Sequence, residues 1–319
     1  MGLMHPRVLT IGSRGSALAL WQANFIAAKL GGLGFETRIQ IIKTTGDRLQ
    51  TVERHGDPAP SNFARDVNVS GKGLFTKEIE EALLSGEIDL AVHSLKDLPT
   101  ELPSGLVLAA IPEREDPRDC ICGSTMAALT TGARVGTSSP RRAAQLRVLR
   151  PDLSLEPVRG NVDTRLRKLH EGQYGGILLA TAGLKRLKLD HEIAEVFSAD
   201  QICPAPGQGA LAIETRDSDP VQAICADLNH TPTASAVSCE RAVLAELGGG
   251  CLLPIGAYAE PVAGGLHLTA IVITPDGKRF VREHLDGPMT EAEQLGSSAA
   301  KRLLNAGAAE ILSAVGARP

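Results

Sequence analysis

Apolar positions recur along this chain in two alternating rhythms. Val8 to Ile11 is a continuous apolar run of strand length, and Gly12-Ser13-Arg14-Gly15-Ser16 turns the chain after it. Leu18, Trp21, Phe25 and Ala28 then fall three or four apart, which predicts a helix over about 17–30 ended by Gly31-Gly32. Arg38 to Ile42 predicts the next strand. The same succession returns later. Arg134 to Gly136 reads as a short strand, Thr137-Ser138-Ser139-Pro140 turns the chain, and Ala143, Ala144, Leu146 and Leu149 recur at helical spacing before a strand at Leu155 to Val158. Ser138 or Ser139 suits the N-cap and Pro140 the first helical position. The echo is structural, without a sequence period, and it predicts two similar α/β domains.

Between these units, Leu74 to Leu84 patterns as an amphipathic helix and Ile88 to His93 as a buried strand. Thr45 to Gly73 is long, polar and aperiodic, which suits a lid over a site. Asp163 or Thr164 opens a helix, Gly176 to Ala180 is an apolar strand, and Pro204 to Gly209 is a turn-rich crossover into a strand at Ala210 to Glu214. The final third changes character. A helix over Thr231 to Leu247 precedes two antiparallel strands, Leu266 to Thr274 and Lys278 to His284, around Pro275-Asp276-Gly277, and then a last helix from about Glu291 to Val315. The expected fold is therefore two α/β domains and a smaller α+β domain.

The candidate chemistry sits at the turns. In open α/β sheets, ligands bind at the carboxyl ends of the strands, where both echoing turns lie, and two such domains facing each other would make a cleft. The turn before Pro140 offers unpaired backbone N–H groups, two hydroxyls, and the guanidiniums of Arg141 and Arg142. Two readings stay open there: an anion site, or a well-capped helix with solvated arginines. Arg159, Arg165 and Arg186 also fall near strand ends or helix starts. Lys96 and Asp97 follow a buried strand directly, as a catalytic pair or as a surface ion pair. His93 reads as a satisfied strand-end histidine.

Composition narrows the classes. With 43% hydrophobic and 22% charged residues, 319 residues build an ordinary globular protein of two or three domains. A net charge of -4 and only 3% aromatics argue against a nucleic-acid or membrane-surface binder. No apolar run is long enough to span a bilayer, and Arg7 and Arg14 interrupt any secretory signal, so a cytoplasmic protein is expected. The six cysteines are scattered like reduced thiols, and no metal site is expected around Cys120-Ile121-Cys122. Cys251 follows three glycines, where it reads either as a small buried hydrophobe or as a covalent attachment point. Gly71-Lys72-Gly73 lacks the spacing of a P-loop.

Taken together and in order, several segments resemble the porphobilinogen deaminase (hydroxymethylbilane synthase) family. They are Gly12 to Ala23, Gly71 to Glu78, His93 to Pro99, Gly136 to Arg142, Val158 to Leu166, Ala182 to Leu187, Pro206 to Ala210 and Gly249 to Gly256. The resemblance implies two domains similar to the lobes of type II periplasmic binding proteins: domain 1 over 1–112 and 204–228, and domain 2 over 113–203. It implies an α+β domain 3 over 229–319. It implies a dipyrromethane cofactor joined by a thioether to Cys251, and head-to-tail condensation of four porphobilinogen molecules with loss of four ammonias and hydrolytic release of hydroxymethylbilane.

By match to the family's motifs, Lys96, Ser138, Ser139, Arg141, Arg142 and Arg165 would hold the cofactor's carboxylates. Asp97 would be catalytic and close to the cofactor. Arg14, Ser16, Arg159, Arg165 and Arg186 would take the incoming substrate, with Gln208 lining the cleft. A monomer is implied. The competing class is a two-lobed anion-binding or effector-sensing module without chemistry, and a phosphate-ester enzyme is a third reading. Covalent pyrrole on Cys251 separates the first from both.

Overall fold

A computed structural model describes residues 8–47, 75–248 and 253–314. Chain contacts divide it into two units: one takes 1–113 with 211–230, the other 114–210 with 231–319.

The first unit is built on a five-stranded sheet. Its strands are β1 (Leu9–Ser13), β2 (Thr37–Ile41), β3 (Leu90–Ser94), β4 (Leu106–Ala110) and β10 (Leu211–Arg216), in the order β2-β1-β3-β10-β4. β1 runs parallel to β2 and β3, whereas β10 is antiparallel to both its neighbours. The helix Ala17–Gly32 starts at Ser16, whose hydroxyl accepts from the Ala19 N–H at 3.3 Å. It buries Ala23, Ile26 and Leu30 against Leu9, Ile11 and Leu90. Burying Ile26 or Leu30 stabilises the fold by about 1.5–3 kcal/mol each over leaving it in water. The helix runs through Gly31 and Gly32, two residues beyond the stop expected from those glycines. Most of the polar 45–73 segment, and with it the expected lid, lies outside the described residues.

The second unit repeats that sheet. Here β5 (Asp119–Cys122), β6 (Arg134–Gly136), β7 (Ser154–Glu156), β8 (Gly176–Ala180) and β9 (Ile193–Val196) take the order β7-β6-β8-β5-β9. β6 is parallel to β7 and β8, and β5 is antiparallel to β8 and β9. Position for position, β6 plays the part of β1 and β5 that of β10, so the echo in the sequence is a repeated topology. Leu146 on the helix Pro140–Leu149 packs with Val135, Leu178, Ile121 and Phe197. Ser139 is that helix's N-cap, accepting from the Arg142 N–H, with Pro140 in the first turn. The next helix, Val162–His170, starts at Asn161, two or three residues before the start read from the sequence.

The same unit carries a smaller α+β layer. β11 (Ile255–Val262), β12 (Gly265–Ile273) and β13 (Phe280–Gly287) form an antiparallel meander. The helices Thr231–Glu246 and Ala292–Leu303 cover one face through Val243, Leu247, Ala299 and Leu303. β12 packs Ile271 and Ile273 against Ala144 and Cys203. The last helix is not continuous: Gly307, at φ 105°, breaks it within Leu304–Ala308, and a short helix Ala309–Ala314 follows. A positive φ is cheap only for glycine, which is why the break falls there.

Candidate active site

β3 ends in a single tight turn, Leu95–Asp97. Leu95 and Leu98 are 1% and 2% exposed, so both ends of the turn are pinned in the core. The residues between them face outward: Lys96 is half-buried and Asp97 exposed. Asp97 has no hydrogen-bond partner among the described residues, Lys96 included, so the pair is not the surface ion pair offered as an alternative. Just upstream, buried His93 meets Glu214 of β10 at 3.0 Å, the satisfied strand-end histidine expected. Gln22 donates to Ser94 at 2.8 Å, tying the first helix to the same strand end.

In the second unit, the helix start at Ser139 holds a buried charge cluster. Arg141 and Arg142 are 4% and 6% exposed, which rules out solvated arginines. Both converge on Asp119, which is fully buried at the start of β5. Arg141 Nη1 lies 2.6 Å from one carboxylate oxygen, and Arg142 Nη2 and Nε lie 2.7 and 2.8 Å from the other. Burial alone would raise the Asp119 carboxyl, but the two guanidiniums outweigh it and hold it far below the usual carboxylate range. Gln208 completes the cluster: its Nε2 donates to Asp119 at 2.9 Å and to the Pro117 carbonyl at 2.7 Å. Its Oε1 accepts from Arg142 at 3.3 Å and Arg141 at 3.5 Å. Two guanidiniums against one carboxylate leave a single excess positive charge at a helix N-terminus, beside the hydroxyls of Ser138 and Ser139.

A second buried carboxylate fixes the turn that carries Gln208. Glu240 of the helix Thr231–Glu246 accepts from Arg114 at 2.6 and 3.0 Å, from the Gly207 N–H at 2.6 Å and from the Ala259 N–H at 2.9 Å. Arg114 donates in turn to the Gln208 carbonyl at 2.8 Å. Gly209 follows at φ +84°, where an added Cβ would sit 2.4 Å from the Glu115 carbonyl oxygen, so only glycine fits.

The remaining expected residues divide between the units. In the first, Ser16 caps its helix, and Arg14 pairs with Asp47 at 2.6 Å with its guanidinium 4.0 Å over the Phe75 ring. In the second, Ser138 donates to the Val158 carbonyl at 2.9 Å, exposed Arg159 stands next to Gly160, and Arg165 donates to the Gly160 carbonyl at 2.7 Å. Arg186 is buried and donates to the Gly209 carbonyl at 2.7 Å. Burial pushes its guanidinium down to about 10, the mark of a cation held in a poorly solvated place.

Cys251 lies outside the described residues. The five cysteines that are described are all buried. Burial pushes the thiols of Cys203, Cys225 and Cys239 up to about 12, and Cys122 is raised by its hydrogen bond to Cys120 and by burial. The Cys120 thiol is lowered by its hydrogen bond with Cys122, but it is fully buried, so none of the five is placed to act as a nucleophile.

Asp119, Arg114 and Glu240 went unnoticed in the sequence. For Asp119 there was a signal: a lone carboxylate opening the apolar run Cys120-Ile121-Cys122, which a strand can bury only with a cationic partner. For Glu240, one acid among the many on helices, there was none.

This is an α/β protein of two five-stranded mixed sheets with an added three-stranded α+β layer, and its second sheet carries a buried cluster of two arginines and one aspartate. Solved structures resemble it loosely: the methionine-binding protein MetQ (TM-score 0.44, 12% identity, 70% of this chain and 90% of that one) and a periplasmic substrate-binding protein of an ABC transporter from Coxiella burnetii (TM-score 0.41, 13% identity, 73% and 97%). Sequence comparison is far more specific. Residues 9–223 match the family model for the porphobilinogen deaminase dipyromethane cofactor binding domain, and 234–305 match the porphobilinogen deaminase C-terminal domain. The porphobilinogen deaminases of Pelobacter propionicus and Thermus thermophilus are 48% and 47% identical, over 98% and 97% of this chain and 98% and 99% of their own. That of Nitrosomonas europaea is 46% identical over 98% of this chain and all of its own. The chain belongs to the porphobilinogen deaminase family, whose members are transferases of tetrapyrrole biosynthesis.

The donor set suits the family's cofactor. A dipyrromethane bears acetate and propionate groups, and a helix start with one uncompensated buried positive charge and two hydroxyls is a receptor for such groups.

Proposed function

We propose that this protein acts as a hydroxymethylbilane synthase through a specific set of side chains. It joins four porphobilinogen molecules head to tail, releases four ammonias, and frees linear hydroxymethylbilane by hydrolysis. The observation that carries the assignment of the site is the Asp119-bound arginine pair, which lies inside the segment matched to the cofactor-binding domain.

Arg141, Arg142, Arg165, Lys96, Ser138 and Ser139 hold the carboxylates of a dipyrromethane, and Cys251 carries it through a thioether. When bound, that group supplies a free pyrrole α-carbon on which the chain grows. Arg14, Ser16, Arg159, Arg165 and Arg186 take the acetate and propionate of the incoming porphobilinogen. Bidentate guanidiniums match planar carboxylates, which fixes the ring's orientation as well as its affinity. As the aminomethyl C–N bond breaks, the electron pair leaves with nitrogen, which takes a proton and departs as ammonia. Positive charge then develops on the substrate pyrrole. Asp97 accepts the pyrrole N–H and stabilises that charge. After the new C–C bond forms, the α-hydrogen leaves as a proton, for which the same carboxylate is the available base. The outward turn between Leu95 and Leu98 leaves Asp97 open to substrate.

Three folding domains (1–112 with 204–228, 113–203, and 229–319), a monomeric state and a cytoplasmic location complete the reading. Among the described residues, no helix is long and apolar enough to cross a membrane. The test is the denatured intact mass, with peptide mapping around Cys251. The expected result is an excess of two linked pyrrole units on that cysteine, appearing on incubation with porphobilinogen where the protein is made without it. A chain that stays unmodified after incubation would overturn the assignment and favour a binding module without chemistry.

A further inference from the structure

The Gln208 side chain is expected to line the site, yet it is 1% exposed, and its amide is turned into the charge cluster. Its orientation is dictated by its neighbours. The Nε2 side faces two acceptors, the Asp119 carboxylate and the Pro117 carbonyl. The Oε1 side faces two donors, the guanidiniums of Arg141 and Arg142. Reversing the amide would set donor against donor and acceptor against acceptor. Arg142 therefore rests on one anionic support, Asp119, and two neutral ones, the Gln208 amide oxygen and the Leu178 carbonyl. A carboxylate at this position would meet the guanidiniums with one oxygen but would set the other against the Asp119 carboxylate and the Pro117 carbonyl, acceptor against acceptor. It would also cancel the cluster's excess charge.

We infer that Gln208 is a positioning residue whose uncharged amide holds the Arg141–Arg142 fork in place while preserving the one excess positive charge that selects carboxylate-bearing pyrroles. This rests on the proposed function above. Glu240 and Arg114 serve the same end by fixing the Gly207–Gln208 backbone. The strongly ionised state of Asp119 fits a cluster in which positive charge is in excess.

Charge and packing are separated by comparing Q208E with Q208M in the full chain. The measurements are melting temperature, dipyrromethane content by denatured intact mass, and KM and kcat for porphobilinogen. Q208E is expected to melt below the wild type, since its second oxygen faces the Asp119 carboxylate, and to raise KM or deplete the cofactor ~50- to 300-fold, the effect of cancelling one charge about 5–7 Å away at an effective dielectric near 20. Q208M keeps the charge and is expected to melt lower while KM rises by less than about 10-fold. A Q208E enzyme with KM and cofactor content within about twofold of wild type would overturn the inference, as would Q208E and Q208M raising KM by the same factor. Succinate separates this inference from the enzymatic reading. A wild type that does not consume porphobilinogen, but is stabilised by succinate where Q208E is not, would sink that reading and uphold this one.

Discussion

Replacing Asp119 by Asn keeps the shape of the side chain and removes its charge. In the wild type the carboxylate is fully buried and meets Arg141 at 2.6 Å and Arg142 at 2.7 Å. The variant leaves two guanidiniums with no counter-charge, and breaking a buried pair in this way costs about 3–5 kcal/mol. In a chain of this size each kcal/mol lowers Tm by roughly 2–4 °C, so a fall of about 6–20 °C is expected by differential scanning calorimetry of the cofactor-free protein. The pH dependence adds a second reading. The folded carboxyl lies below its unfolded value, so its stabilisation is fully present above the unfolded value and is lost as pH falls toward the folded one. The gap between variant and wild type should stay constant from about pH 5 to 8 and narrow only below about pH 4. Removing one of the two stranded cations as well, in D119N/R142M, should recover part of the loss, a coupling that independent sites would not show. A D119N protein melting within about 2 °C of wild type would refute the claim that this carboxylate balances the arginine pair.

Other outcomes follow from the same geometry. Asp97 is exposed, so D97A should melt like wild type but consume almost no porphobilinogen, whereas D97E should keep a trace of activity; normal turnover by D97A would remove it from the chemistry. Burial lowers Arg186 to about 10, so the folded protein holds this cation at a cost that is constant at neutral pH and fades only as pH rises through that value toward the unfolded one. R186M should raise KM at least about 10-fold; a clear drop in Tm with KM unchanged would show that Arg186 is there for stability. The thiols of Cys203, Cys225 and Cys239, raised to about 12, should resist alkylation in the native state at pH 8, leaving Cys251 as the fast-reacting site in cofactor-free protein and unreactive once it is loaded. Mass-mapped labelling that fell first on a buried cysteine would count against Cys251 as the anchor.

The parts legible in the sequence were those set by local rules. Ser139 and Pro140 announced a helix start, and that helix begins at Pro140. The apolar run Gly176 to Ala180 announced β8 without error in its bounds. What stayed hidden depends on partners distant in sequence. β4, β5, β9 and β11 went unread; β5 and β9 are only four residues long, and Glu260 and Pro261 interrupt β11. Arg141 and Arg142 could be read as solvated or anion-binding. Burial against Asp119, 22 and 23 residues earlier, needed the sheet that joins β5 to the helix start. The continuous C-terminal helix failed for a local reason, a glycine in the left-handed region, that periodicity alone does not register.

The repeated sheets also bear on how the chain is made. In the second unit, β5 through β9 are supplied by one uninterrupted stretch, 119–196. In the first, β10 lies between β3 and β4, so the strand that joins them emerges more than a hundred residues after β4. At about 5–20 residues per second, the amino-terminal strands wait on the order of ten seconds with their hydrophobic edges open. The sheet that comes second in the gene is thus the first that can close, and during that interval the exposed β3 and β4 edges are the natural targets for a chaperone.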